Sequence, residues 1–224
     1  MLFPTIIADN FYSNPKEVLS FAKNLNYNHS KDGLFPGKRT APLHTIDFNF
    51  FNFSCTKILS ILYPNDYKEI NFEASILFQL INTKNYDLGW IHKDDGLFTA
   101  IIYLSEDETC GTNIYDRINN SYVFEPIHTE IKHESFKNFE NIEQRKKNFE
   151  FAKNNNDLFK STINIDSKFN RVLIFDSSLY HGAQNFKDSK EKKERLTLIC
   201  FFSKLEFNNK NRLKFPLNEN SILY

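Results

Sequence analysis

The chain has 224 residues, with 28 Lys and Arg against 28 Asp and Glu, so its formal net charge is zero; 41% of residues are hydrophobic and 25% charged. That length suits one domain of ordinary size with a sizeable core. Charge neutrality excludes a general pull toward nucleic acid or an acidic membrane surface, and no apolar run approaches the ~18 residues of a membrane span.

Phe occurs 24 times, against one Trp and one Met, so aromatic side chains are expected to fill much of the core. Cys55, Cys110 and Cys200 are far apart and no CxxC occurs. They form no disulfide framework and suit a reducing compartment. The segment MLFPTIIADNFYSNP has no basic region followed by a long apolar run, so a cytoplasmic location is expected.

Thr5 to Phe11 predicts a short strand. Asn14 and Pro15 then suit the N-cap and first turn of a helix, along which Val18, Leu19, Ala22 and Leu25 recur at helical spacing. His29 to Ala41 contains DG and PG and predicts a loop. Within it, Lys38 and Arg39 of FPGKRT are assigned to solvent, with capture of a substrate carboxylate or phosphate as the functional alternative. Ser54 is the expected cap of a second short helix that buries Ile58, Leu59, Ile61 and Leu62 and stops at Pro64.

From Ile70 the pattern changes. FEASILFQLI, SYVF, TAIIYLSED, GTNIY, RVLIFD and RLTLICFF are short β-rich runs between turn-prone residues. They predict an antiparallel sandwich or barrel with the helices flanking it. The stretch from His133 to Lys160 is rich in Glu, Lys and Asn, with scattered Phe. It predicts one or two helices inserted between strands, either a surface excursion or a lid. The expected organisation is thus one domain over 1–224, with a helical region about 1–69 and a β core about 70–204 interrupted by the insert about 133–160.

Two segments carry chemistry. In GWIHKDDGLF, His92 and Asp94 are two apart, so in an extended chain both face the same side and can reach one metal ion, whereas Asp95 faces away. In RVLIFDSSLYHGAQ, an apolar strand ends at Asp176 and His181 follows a short turn. The next strand, ERLTLICFF, puts Leu196, Leu198 and Cys200 on an apolar face and Arg195 with Thr197 on the other. A buried guanidinium needs an anion to offset its desolvation, and a carboxylate-bearing ligand is a candidate partner. Two His and one carboxylate are the facial triad of non-haem iron oxygenases; three positions stay open, two for a 2-oxo acid and one for dioxygen. His29, His44, His128 and His133 lie in polar contexts and are assigned to the surface.

The ordered set HKD, HG and a strand Arg resembles the HxD…H…R signature of 2-oxoglutarate- and Fe(II)-dependent dioxygenases. The surroundings resemble the prolyl-hydroxylase-like branch: FQLI with Gln79 before the HxD, TAIIYLSED with Tyr103 after it, then GTNIY with Gly111 and Thr112. The likeness covers roughly Phe72 to Phe202, and DNFYSNPKEVLSFA with FPGKRT is reminiscent of bacterial and phage members of the superfamily. The family's spacing departs in one place: His181 and Arg195 are separated by a longer loop, Lys187 to Glu194. The resemblance implies a double-stranded β-helix, the cupin-like jelly roll. It implies Fe(II) on His92, Asp94 and His181, with 2-oxoglutarate held by Arg195 and by Tyr103, assisted by Thr197. Dioxygen is then the oxidant, ascorbate an optional reductant, and succinate and carbon dioxide the by-products of hydroxylating a small molecule or peptide. Two other classes share such a site: a cupin-like metal isomerase or hydrolase, and a jelly-roll binding module without catalysis.

Overall fold

The computed structural model describes residues 3–82, 88–105, 111–118, 133–134, 136, 142–184 and 194–208. The SYVF run, Cys110, His128 and the loop from Lys187 as far as residue 193 lie outside the described residues.

Among the described residues, the other β-rich runs form two antiparallel sheets. The larger contains β1 (Ile6–Ala8), β2 (Asn28–His29), β3 (Lys38–Arg39), β4 (Ile70–Asn82), β5 (Phe98–Tyr103), β8 (Val172–Asp176) and β10 (Glu194–Phe207), in the order β1-β8-β5-β10-β4-β3-β2. The smaller contains β6 (Thr112–Arg117), β7 (Phe159–Ile165) and β9 (Tyr180–Ala183), in the order β7-β6-β9. This is the mainly β jelly roll with flanking helices. The helices are α1 (Pro15–Lys23), the short α2 (Leu43–Ile46), α3 (Phe48–Leu62) and α4 (Ile142–Asn156). No helix among the described residues is long and apolar enough to cross a membrane.

Period-two alternation assigns the faces of the larger sheet. Leu196, Leu198, Cys200 and Phe202 of β10 join Phe98, Ala100 and Ile102 of β5 on the outer face. There they pack against Leu19 and Ala22 of α1 and Phe51, Cys55, Ile58 and Leu59 of α3. Rings supply much of the contact, as the composition demanded: Phe98 stacks on Phe202 with centroids 4.4 Å apart, and Phe50 of α3 lies over Phe78. On the inner face Ile101 and Tyr103 meet Leu173 and Phe175 of β8, together with Ile114 and Ile165 of the smaller sheet. Arg195 and Thr197 belong to this inner side and are buried.

Several local expectations are corrected. Asn14 caps α1 with its backbone oxygen, which accepts from Glu17 N and Val18 N, and not with its side chain. The second helix starts six residues before Ser54. Its cap is Asp47, whose carboxylate accepts from Phe50 N at 2.9 Å. Ser54 lies buried inside the helix, 2.8 Å from the Tyr12 hydroxyl. Of the aromatic run FNFF that opens this helix, Phe51 is buried and Phe50 partly so, while Phe48 stays exposed. Ile61 and Leu62 are only partly buried. The 29–41 stretch contains the small hairpin β2–β3, which pairs with β4 through Lys38↔Leu80 and Arg39↔Gln79. The insert holds α4, but Phe159 already begins β7, a mostly exposed strand whose polar residues hide its period.

Candidate metal centre

His92 and Asp94 from one segment and His181 from another, far along the chain, meet in the wall of one cavity. Their ligand atoms all lie within 4.8 Å of one another. His181 follows the short turn after β8 as the second residue of β9, and its backbone exchanges two hydrogen bonds with His92: His92 N to His181 O at 2.9 Å and the reverse at 2.8 Å. That two-residue bridge sets both imidazoles side by side, with ring centroids 4.5 Å apart. Asp94 N donates to Ser177 O at 3.0 Å, which carries the carboxylate to the same point. Asp95 is exposed at the rim and stands outside the cluster.

Each ligand is oriented by a partner. His92 Nδ1 lies 2.8 Å from Trp90 O, and His181 Nδ1 lies 3.0 Å from Leu179 O. A carbonyl oxygen only accepts, so each Nδ1 carries the proton and each Nε2 presents its lone pair inward. Those Nε2 atoms are 3.5 and 3.3 Å from the two oxygens of Asp94. Lone pairs facing carboxylate oxygens at that distance repel unless a cation, either a metal or a proton on each ring, stands between them. Thr99 Oγ1 donates to Asp94 Oδ2 at 2.8 Å and also contacts Ser177 Oγ at 3.1 Å. Burial alone would raise the Asp94 pKa, but His181 and His92, once their rings carry positive charge, outweigh it and hold the carboxyl well below its usual range. The group is built to remain an anion beside a cation.

The cavity is about 240 Å³ and is lined by the triad together with Arg39, Gln79, Thr112, Arg195 and Phe201. Arg195 is 4% exposed, its Nη2 donates to Thr112 Oγ1 at 3.4 Å, and its guanidinium lies 5.5 Å from the Tyr103 ring. Tyr103 OH donates to the same Thr112 Oγ1 at 2.8 Å, so this hydroxyl links the two. Thr197, which pairs with Gln79 on one side and Tyr103 on the other, is fully buried with no hydrogen-bond partner for its Oγ1. A buried guanidinium in a cavity wall suits an anionic ligand, which offsets its desolvation.

Sequence reasoning missed Thr99, Asn155 and Asn156, and gave Arg39 a ligand-binding role only as the alternative to solvent. Thr99 shares the inner face of β5 with Ile101 and Tyr103, so strand parity was its available signal. Arg39, assigned to solvent, instead lines the cavity, while its neighbour Lys38 is exposed. Asn155 and Asn156 end α4 and grip the segment before His92. Asn155 Nδ2 donates to Ile91 O at 3.1 Å, Asn156 Nδ2 donates to Gly89 O at 2.7 Å, and Asn156 Oδ1 accepts from Ile91 N at 3.1 Å. No local pattern marks these long-range contacts. The insert thus braces the metal-ligand segment, and its Phe136 forms part of the cavity wall.

Comparison with known proteins agrees at the level of fold. A family model described as "Family of unknown function (DUF6445)" matches residues 3–202. No curated protein matches the chain. Among solved structures, HygX from Streptomyces hygroscopicus with nickel and 2-oxoglutarate bound is similar, with a TM-score of 0.53 at 10% identity, over 89% of this chain and 82% of that one. An oxidoreductase of the 2OG-Fe(II) oxygenase family from Burkholderia pseudomallei matches with a TM-score of 0.52 at 11% identity, over 92% of this chain and 88% of that one.

Proposed function

The chain belongs to DUF6445, a family of unknown function, and from that premise we propose that it is a 2-oxoglutarate- and Fe(II)-dependent oxygenase that hydroxylates a small molecule or a peptide side chain. One observation carries the reading: two imidazoles with proton-bearing Nδ1 atoms turn their Nε2 lone pairs toward one carboxylate, in a cavity shared with a buried Arg. The donor set fits Fe(II), since neutral nitrogens with one carboxylate suit a borderline divalent ion and leave positions open for co-substrates.

His92, Asp94 and His181 would hold the metal. Arg195, with Thr112 and Thr197 beside it, would hold the distal carboxylate of 2-oxoglutarate, and Tyr103 would act indirectly by fixing Thr112. When bound, the metal supplies the redox chemistry that couples decarboxylation of 2-oxoglutarate to substrate oxidation by dioxygen. The protein's part is positional. Thr99 holds the carboxylate in one orientation, the Trp90 and Leu179 carbonyls fix the imidazole tautomers, and the apolar walls Ile101, Ile199 and Phe201 limit water around the reacting atoms. Assignment to the prolyl-hydroxylase-like branch is supported by Gln79 and Tyr103, which flank Thr197 in register.

The test is anaerobic titration with Fe(II) and then 2-oxoglutarate. The bidentate complex gives a visible charge-transfer band, and aerobic turnover yields succinate. Protein that binds both ligands without the band refutes the oxygenase. A site that binds Zn(II) and hydrolyses or isomerises substrates without consuming 2-oxoglutarate would establish the cupin-like alternative.

A further inference from the structure

Arg39 is the second guanidinium of the cavity, and the reactions above do not use it. It lies on β3, opposite Gln79 of β4, in the same sheet as the Thr99-bearing β5 and separated from it by β4 and β10. Its guanidinium carbon is 4.2 Å from the centroid of Phe35 and 5.8 Å from that of Phe201. Contacts with ring faces hold a guanidinium through its flat side and leave its in-plane N–H donors uncommitted. Among the described residues the Arg39 side chain makes no hydrogen bond and no ion pair, and its Nε is buried without a partner. A desolvated cation in that state costs stability unless a ligand answers it. Burial lowers its pKa to about 10, against the opposing charge of Asp94, so it stays protonated at neutral pH.

The charges around the cavity point the same way. Among the described lining residues, Arg39, Lys93 and Arg195 stand against Asp94 and Asp95. Lys93 is exposed and lies over the Tyr180 ring, whereas Arg39 is backed by Phe35 and Phe201 and presents a fork suited to a carboxylate or phosphate.

We propose that Arg39 is the substrate-anchoring residue of this site, and that the molecule oxidised is a small anion whose carboxylate or phosphate pairs with the Arg39 guanidinium while Phe35 and Phe201 pack against its apolar part. The inference rests on the oxygenase reading for the word oxidised, and on the cavity alone for the anion.

The experiment uses the full chain loaded with Ni(II) and saturating 2-oxoglutarate, so that Arg195 is occupied and no turnover occurs. Charge-matched pairs are titrated calorimetrically: acetate and acetamide, benzoate and benzamide, phenyl phosphate and phenol. At least one anion is expected to bind about tenfold or more tightly than its neutral counterpart, as a charge-assisted pair predicts. In Arg39→Gln that preference is lost, Arg39→Lys restores part of it, and the affinity for 2-oxoglutarate stays within about twofold. The carboxylate and phosphate members identify which group the site prefers. The proposal is overturned if no anion is preferred, if Arg39→Gln keeps the preference, or if Arg39→Gln instead weakens 2-oxoglutarate, which would make Arg39 a co-substrate ligand. The two readings fail separately. A missing charge-transfer band with an intact, Arg39-dependent preference on metal-free protein removes the oxygenase and leaves the anion site. A normal band without the preference removes only the anion site.

Discussion

Replacing Thr99 with Val tests how the metal centre is pre-set, because it changes one atom and almost no volume. Thr99 Oγ1 donates to Asp94 Oδ2 at 2.8 Å from a position that is 1% exposed. A hydrogen bond to a charged group contributes ~1.5–3 kcal/mol, and loss of such an outer partner typically lowers metal affinity by about 10- to 100-fold. The lower end is expected here, since Ser177 Oγ lies 3.1 Å from Thr99 Oγ1 and can turn toward the carboxylate once the Thr hydroxyl is gone. Fe(II) or Co(II) affinity is measured anaerobically by chelator competition on wild type, Thr99→Val and Thr99→Ser, with circular dichroism and melting temperature as controls on folding. Thr99→Ser should retain most of the affinity because it retains the donor. A Thr99→Val protein that folds normally and binds metal within twofold of wild type refutes the claim that Thr99 sets the carboxylate.

His92→Ala and His181→Ala should each abolish stoichiometric Fe(II) binding and, with it, succinate formation; equilibrium dialysis with metal analysis reads the first effect directly. Arg195→Gln should leave metal affinity near wild type and raise the 2-oxoglutarate Kd by about 10- to 100-fold, the equivalent of one lost charge-assisted pair, as followed through the charge-transfer band. Asn156→Ala removes two hydrogen bonds to the 89–91 backbone. It should destabilise the fold by ~1–3 kcal/mol in urea denaturation and loosen metal binding as well, because that backbone leads directly into His92. Asp176 accepts from Phe3 N at 2.8 Å and from Ser178; burial opposes ionisation, but these bonds prevail and lower its pKa. A depressed folded pKa stabilises the protein above the unfolded pKa of ~3.9 and ceases to do so as the pH falls through the folded value. The melting-temperature gap between wild type and Asp176→Asn should therefore be full at neutral pH and close toward acid; a gap independent of pH contradicts this.

The insert shows where function and architecture become inseparable. Its composition suggested a surface excursion or a lid, and composition alone gave no means of choosing. The described part does neither exclusively. Asn155 and Asn156 at the end of α4 satisfy the backbone of residues 89–91, and Phe136 contributes a wall of the cavity. Gly89 belongs to the same contact: a Cβ there would collide with the Ala183 carbonyl, so the close approach of this segment to β9 requires glycine.

The amino-acid sequence determined by itself whatever depends on short-range periodicity. Alternation along ERLTLICFF separated Arg195 and Thr197 from Leu196, Leu198 and Cys200, and the folded chain keeps that division because a strand has only two faces. The spacing of His92 and Asp94 put both on one side for the same reason. The tertiary structure decided everything that joins distant segments. It packed Phe51 of FNFF near Phe72 of β4, placed His181 in a strand by pairing it with Ile114 of β6, and turned Arg39 from a loop cation into a cavity wall by pairing β3 with β4. These outcomes turn on burial and register between residues far apart in the chain, energies that no local window of sequence contains.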